Sequence, residues 1–360
     1  MAEPLKNMYS KAYMSKFADV FASIDPRFSR KKFLNLVFDR DWEEKELKQR
    51  MRHISICLHK SLPGGYEENI KILMKAVKEF RGFLSMIFPD YVEVFGLENP
   101  KLSIKALELF TQYGSSEFAI RPFIIKYPGL VMPQMLKWAE HKNHHVRRLA
   151  SEGSRPRLPW AMALPEFKKD PAPVIKILEV LKNDESEYVR KSVANNLNDI
   201  SKDNPETALK IAAKWYGKNK NTDWIVKHGM RGLLKKGNKT ALKLFGWNGA
   251  EGIKVKALRL SAEKIKLGDK FEFSFELVPA EPGNGNIRVE YTIDFLTSTG
   301  KVSRKIFKIT EGNFEKGKKY MFNRKHSLKD LTTRKHFKGR HTIAIIINGE
   351  VTVKRDFQII

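Results

Sequence analysis

The sequence predicts an all-α HEAT-like solenoid followed by an all-β immunoglobulin-like sandwich, with domains at residues 1–248 and 251–360. Three observations predict it. Up to about residue 248, apolar residues recur at helical spacing between short breaks marked by proline and glycine. Helix–turn–helix units echo one another at offsets near the ~40–47-residue period of HEAT repeats. Beyond residue 250 the apolar period falls to two, the period of a half-buried strand.

The helical pairs begin at PKLSIKALELFTQYG (100–114) with SSEFAIRPFIIKYP (115–128), then GLVMPQMLKWAEH (129–141) with NHHVRRLASEG (143–153). PAPVIKILEVLK (171–182) opens with prolines suited to a first helical turn and places Val174, Ile177, Leu178 and Leu181 on one face. Its partner, residues 185–202, sets Val189, Val193, Leu197 and Ile200 on one face and Lys191, Asn195 and Asp199 on another. A further pair covers 205–217 and 223–237. VRR at 146–148 returns as VRK at 189–191, and Val189, Lys191 and Leu197 are echoed at Ile225, Lys227 and Leu233. Residues 1–100 are helical in period but show no repeat unit. After residue 250, KFEFSFEL (270–277), NIRVEYTIDFL (286–296) and HTIAIIINGEVTVKRDF (341–357) read as strands, the last with an Asn348-Gly349 hairpin turn. About seven strands fit in this span, the size of an immunoglobulin-like sandwich.

The 360 residues hold 67 Lys plus Arg against 41 Asp plus Glu, a net charge of +26. That exceeds the magnitude of roughly 2–8 that solubility asks of a small domain. A field of this size points to a polyanion, with nucleic acid ahead of an anionic membrane. The surplus is only +3 over residues 1–100, but +13 over 101–250 and +10 over 251–360. The single cysteine, Cys57, excludes a disulfide framework and a Cys-rich zinc site. No signal-peptide core or run of ~18 apolar residues occurs, so a cytoplasmic protein without membrane contact is expected; a monomer is expected as well.

Several motifs fail on inspection. GLLKKGNKT (232–240) approaches a phosphate-binding loop, but Asn238 interrupts it and a helix, not a strand, precedes it. His141, His144 and His145 have helical spacing without a further ligand, so no metal is expected. PGNGN (282–286) reads as a hairpin loop. Nucleophile signatures of the G-x-S-x-G kind are absent.

The most unusual stretch is VRRLASEGSRPRLPW (146–160): an arginine-rich helix end, Gly153, two prolines and then Trp160. Glu152 lies among Arg147, Arg148, Arg155 and Arg157, where it is either an ion-pair partner or a working acid. Glu117, close after Ser115 and Ser116, is either a capping residue or a second acid. The basic residues on the second helix of each pair (Arg147, Arg148, Lys191, Asn195, Lys227, Arg231) line a concave binding surface or merely a solvated face.

At SSEFAIRPF, VRRLASEGSRPRLPWA, YVRKSVANNLNDISKDNPE and DWIVKHGMRGLLKKGN the chain resembles the AlkC branch of HEAT-repeat DNA glycosylases, within the AlkD-like superfamily. These strings span about residues 110–245, and part of that family also carries a C-terminal immunoglobulin-like domain. The resemblance implies excision of cationic alkylated bases, the 3-methyladenine and 3-methylcytosine class, from double-stranded DNA in base excision repair, with no cofactor. It implies catalytic acids at Glu117 and Glu152, with Asp199 a further candidate, and an aromatic beside the lesion at Trp160. DNA-contacting residues are then expected at Arg121, Arg147, Arg148, Arg155, Arg157, Lys191, Asn195 and Lys227, and on the sandwich at residues such as Arg304, Arg334 and Lys335. A base alkylated on a ring nitrogen is already cationic and leaves as a neutral molecule. The enzyme then needs carboxylates to stabilise positive charge on the deoxyribose and to direct water, by the same logic as in sugar hydrolases. No lysine stands out as a Schiff-base nucleophile, so a monofunctional glycosylase is expected. A non-enzymatic HEAT-repeat module that binds nucleic acid by charge alone is the alternative.

Overall fold

The computed structural model describes residues 3–280, 286–330 and 335–360. It divides into two compact units, Met1–Gly229 and Met230–Ile360.

The first unit is helical: α1 (Lys11–Ile24), α2 (Arg30–Val37), α3 (Leu47–Ser61), α4 (Tyr66–Ala76), α5 (Ile87–Phe95), α6 (Pro100–Phe110), α7 (Ile120–Lys126), α8 (Pro128–Ala139), α9 (His144–Gly153), α10 (Pro165–Lys169), α11 (Ala172–Leu181), α12 (Glu187–Asp203), α13 (Pro205–Trp215) and α14 (Lys220–Gly229). Pro100, Pro128 and Pro205 each open a helix, where their missing N–H costs nothing. Residues 1–100 close around an aromatic cluster in place of a repeat, with Phe17 in ring contact with Phe21, Phe33, Phe80 and Phe88. Cys57 is buried on α3 with its Sγ 3.5 Å from His53 Nε2. Burial pushes its thiol pKa up to about 11.

From α8 onward the pairs stack. Helices α9, α12 and α14 pack successively against one another, and α8 packs on α11. The α9–α12 contact is locked by polar groups. Ser192 Oγ donates to Ser151 Oγ at 2.9 Å, and Asn196 Nδ2 donates to the Ser151 carbonyl at 2.8 Å. Buried bonds of this kind hold two helices in one register, because any slip would leave both partners unsatisfied.

In the second unit the helix expected over 223–237 proves to be two, since α14 stops at Gly229 and α15 (Arg231–Lys235) begins beyond Met230. After α16 (Lys239–Leu244) come strands β1 (Ile253–Leu260), β2 (Lys264–Ile265), β3 (Lys270–Pro279), β4 (Asn286–Leu296), β5 (Val302–Asn313), β6 (Tyr320–Ser327), β7 (Gly339–Ile347) and β8 (Glu350–Ile359). They form two sheets, β1-β3-β6 and β2-β8-β7-β4-β5. The alternation in β3 buries Phe271, Phe273, Phe275 and Leu277 against Ile287, Val289, Ile293 and Phe295 of β4 and Ile343, Ile345 and Ile347 of β7. Asn348 and Gly349 turn β7 into β8 with φ of 47° and 84°, the backbone that an Asn-Gly hairpin requires. Strand β4 departs from simple alternation, because both of its faces are buried. Its outer residues Arg288 and Glu290 pair at 2.6 Å, and the Arg288 guanidinium lies 5.1 Å over Trp247. Most of the loop read at 282–286 lies outside the described residues. Among the described residues no helix is long and apolar enough to cross a membrane.

Candidate active site

Helix α9 begins at an Asn143 cap, whose side chain accepts from the His145 N–H at 2.9 Å, and ends at Gly153. A Cβ at Gly153 would fall 2.7 Å from Ile120 Cγ2, so only glycine lets the end of α9 seat on the start of α7. The chain then runs through Pro156 and Pro159 and closes on itself where the Leu164 N–H donates to the Pro156 carbonyl at 3.1 Å. At the tip of this loop Trp160 is 66% exposed, with φ of 64°.

The acids and cations beneath the loop alternate in one chain. Arg148 donates through Nη1 to Glu117 and, at 3.0 Å, to Ser115 Oγ, which itself donates to Glu117 Oε2 at 2.8 Å. Arg148 Nη2 lies 3.7 Å from Glu152 Oε1. Arg155 donates to the same Glu152 oxygen at 2.6 Å and to Asp199 Oδ2 at 2.8 Å. Lys202 completes the series, 2.9 Å from Asp199 Oδ1. Burial opposes the charge on Arg148 and Arg155, but the facing carboxylates outweigh it and hold both guanidinium pKa values above the ordinary arginine range.

Glu117 and Arg148 open onto a cavity of about 440 Å³, walled by Tyr113, Phe118, Tyr188 and Trp160 and also reached by Arg81 and His145. The Arg148 guanidinium lies 4.7 Å over the Tyr188 ring. Burial depresses the His145 pKa, so that imidazole is neutral at pH 7. The site thus combines a carboxylate at a concave aromatic surface, a second carboxylate behind it and an exposed aromatic on the rim. Such a set can stabilise a developing cation and direct a water molecule without a metal-binding cluster. Among the described residues no His, Cys, Asp or Glu group is placed to hold a metal ion.

The structure brings Glu117, Glu152, Asp199, Arg148, Arg155 and Trp160 together. Glu117 is not a helix cap: α7 starts at Ile120, and the carboxylate takes Ser115 and Arg148. Asp199 shares a helix face with exposed Lys191 and half-buried Asn195, yet is 0% exposed, because Arg155 of the 154–164 loop folds over that end of α12. It is linked to the cavity through Arg155, Glu152 and Arg148 in turn. Two expected DNA contacts are corrected. Arg121 is wholly buried and donates to the carbonyls of Gly153, Arg155 and Met162. Arg147, next to Arg148 but rotated away on the helix, is held by both oxygens of Asp184 and by the carbonyls of His141 and Lys142. Arg157 pairs with Asp203, Lys191 with Glu187 and Arg304 with Asp294, each keeping about half of its side chain exposed. Lys227 and Lys335 are exposed, and Arg334 lies outside the described residues.

Sequence reasoning missed Tyr188, Tyr113, Arg81 and Lys48. Tyr188 carried a readable signal: an aromatic in the first turn of α12, off its Val189–Val193–Leu197 stripe. The others are delivered by long-range contacts that no local pattern encodes. The Gly82 N–H donates to the Tyr113 carbonyl at 2.8 Å, and Lys48 Nζ donates to the Trp160 carbonyl at 2.6 Å across 112 residues.

Comparison with known proteins relates both parts of the chain to others. The family model described as DNA alkylation repair enzyme matches residues 111–233, which contain the whole acid–cation chain. The C-terminal Ig-like domain of an uncharacterised protein, YhaZ, matches residues 254–360. The uncharacterized protein YhaZ of Bacillus subtilis (strain 168) is 49% identical over 355 residues, 99% of each chain. Among solved structures, the Pseudomonas fluorescens alkylpurine DNA glycosylase AlkC bound to DNA containing an abasic site analog is 37% identical. It superposes with a TM-score of 0.95 over 99% of this chain and 100% of that one.

Proposed function

Because the chain belongs to the AlkC family of DNA alkylation repair enzymes, we propose that it is a monofunctional glycosylase that hydrolyses the N-glycosidic bond of cationic alkylated bases in duplex DNA, the 3-methyladenine and 3-methylcytosine class. The observation that supports this best is the pair Glu117–Glu152, joined through Arg148 at an aromatic cavity whose rim carries Trp160. As the bond to a cationic base breaks, the electrons leave with the base and positive charge builds on the deoxyribose. Glu117, at the cavity surface, is the carboxylate that faces this charge. Glu152 lies behind it, fixed by Arg155, and orients the attacking water together with Glu117. Trp160 packs on the exposed sugar and base edge, while Arg148, with Tyr188 beneath it, meets the adjoining phosphate. Asp199 acts indirectly, by holding Arg155.

The test is release of free methylated base from alkylated duplex DNA by the purified chain. Glu117→Gln and Glu152→Gln should each slow release by about 100-fold or more while binding to duplex with an abasic analogue persists. Binding without any release at any enzyme concentration would leave a non-enzymatic DNA-binding module. Full turnover by both variants would mean that other carboxylates do the chemistry.

A further inference from the structure

Resting on that reading, we propose that Arg121 is the positioning residue of the site: one buried guanidinium that fixes the backbone around Glu152, Arg155 and Trp160 relative to Glu117. Arg121 stands in the first turn of α7, four residues after Glu117. Its Nε donates to the Met162 carbonyl at 2.7 Å, and its Nη1 donates to the carbonyls of Gly153 at 2.9 Å and Arg155 at 2.8 Å. Gly153 directly follows Glu152, Arg155 carries the bridge between Glu152 and Asp199, and Met162 is two residues beyond Trp160. One side chain therefore pins the entry, the first turn and the exit of the loop on which the site is built. Pro156 and Pro159 lack N–H groups and so donate no backbone hydrogen bonds within the loop.

The arrangement is not one that packing alone would choose. Among the described residues no carboxylate touches Arg121 and its buried Nη2 has no hydrogen-bond partner; its charged neighbours are an opposing Arg155 and the more distant Glu117, Glu152 and Asp199. Burial and Arg155 pull its pKa down to about 10, which still leaves it charged at neutral pH. A buried cation held only by carbonyl dipoles contributes little to stability that an apolar side chain of similar volume would not. Its contribution is geometric.

The experiment compares wild type with Arg121→Met and Arg121→Lys in the full chain. It measures cooperative thermal unfolding, binding to abasic-analogue duplex, and single-turnover release of methylated base at saturating enzyme. The Met variant is expected to fold, to bind within about threefold of wild type and to release base about 100-fold more slowly, the effect of roughly 1 Å of misplacement. The Lys variant, which keeps the charge but cannot span three carbonyls, should recover only part of the rate. Wild-type release by a folded Met variant overturns the proposal, as does slower release matched by an equal loss of binding. If the Met variant fails to fold, the Lys variant decides: a folded protein with wild-type release, or a second unfolded protein, overturns the positioning role. Absence of release by the wild type would instead sink the glycosylase reading, so the two failures are distinguishable.

Discussion

At the scale of single residues, Trp160 joins an unusual backbone conformation to the lesion contact proposed for it. A bulky side chain at a φ of 64° is held in the left-handed region, where L-residues other than glycine are strained by about 1 kcal/mol or more. The side chain is mostly exposed and repays little of this by burial. Its carbonyl is instead held by Lys48. Trp160→Gly is therefore expected to keep or raise the unfolding free energy, by up to about 1 kcal/mol, while base release falls. A denaturant titration beside a release assay checks it, and a marked loss of stability would show that the tryptophan is seated more firmly than its exposure implies. Trp160 and Glu152 were legible because an aromatic between prolines and an acid among arginines are locally odd. The burial of Arg121 was not legible. Its string, AIRPF, gives no sign that three carbonyls from a loop 32 or more residues away will close over it.

At the scale of elements, the loop after α9 is strapped to α12 twice: inside by Arg155 to Asp199, and outside by Arg157 to Asp203. The outer strap is testable by pH. The hydrogen bonds from Arg157 hold the Asp203 carboxyl below the ordinary aspartate range, with burial opposing. Its folded pKa therefore lies below its unfolded one. The stability it contributes is fully present above the unfolded value, near 4, and is lost as pH falls through the folded value. Asp203→Asn should accordingly lower the melting temperature at pH 7, and the gap to wild type should close as pH drops below about 4. A gap that persists undiminished in acid would show that the pair is not the source. Helix existence was readable from period, and for α11 also from the prolines that open it. The break at Met230 was not, because the apolar period continues across it. Nor was the face of Asp199, since a period fixes which residues share a side of a helix but not what folds over one end.

At the scale of the whole molecule, the charge distribution separates capture from chemistry. The acid–cation chain is internally balanced, Glu117, Glu152 and Asp199 against Arg148, Arg155 and Lys202, so the +26 surplus lies elsewhere. On the sandwich, Arg304 and Lys335 are the residues we propose to meet DNA. Changing them to Gln in the full chain should reduce the slope of log K against log salt by about 0.9 for each phosphate that is no longer neutralised. An unchanged slope would remove these two residues from the DNA interface. The overall division into helices and strands was plain in the sequence because a change of period is a long-range signal carried by many residues at once. The same molecule also has one thiol in 360 residues, Cys57, sealed on α3. With a pKa near 11, only about one such group in ten thousand is thiolate at neutral pH. The electrophiles that methylate bases in DNA also attack thiolates. A thiol kept protonated in this way is a poor nucleophile toward those electrophiles.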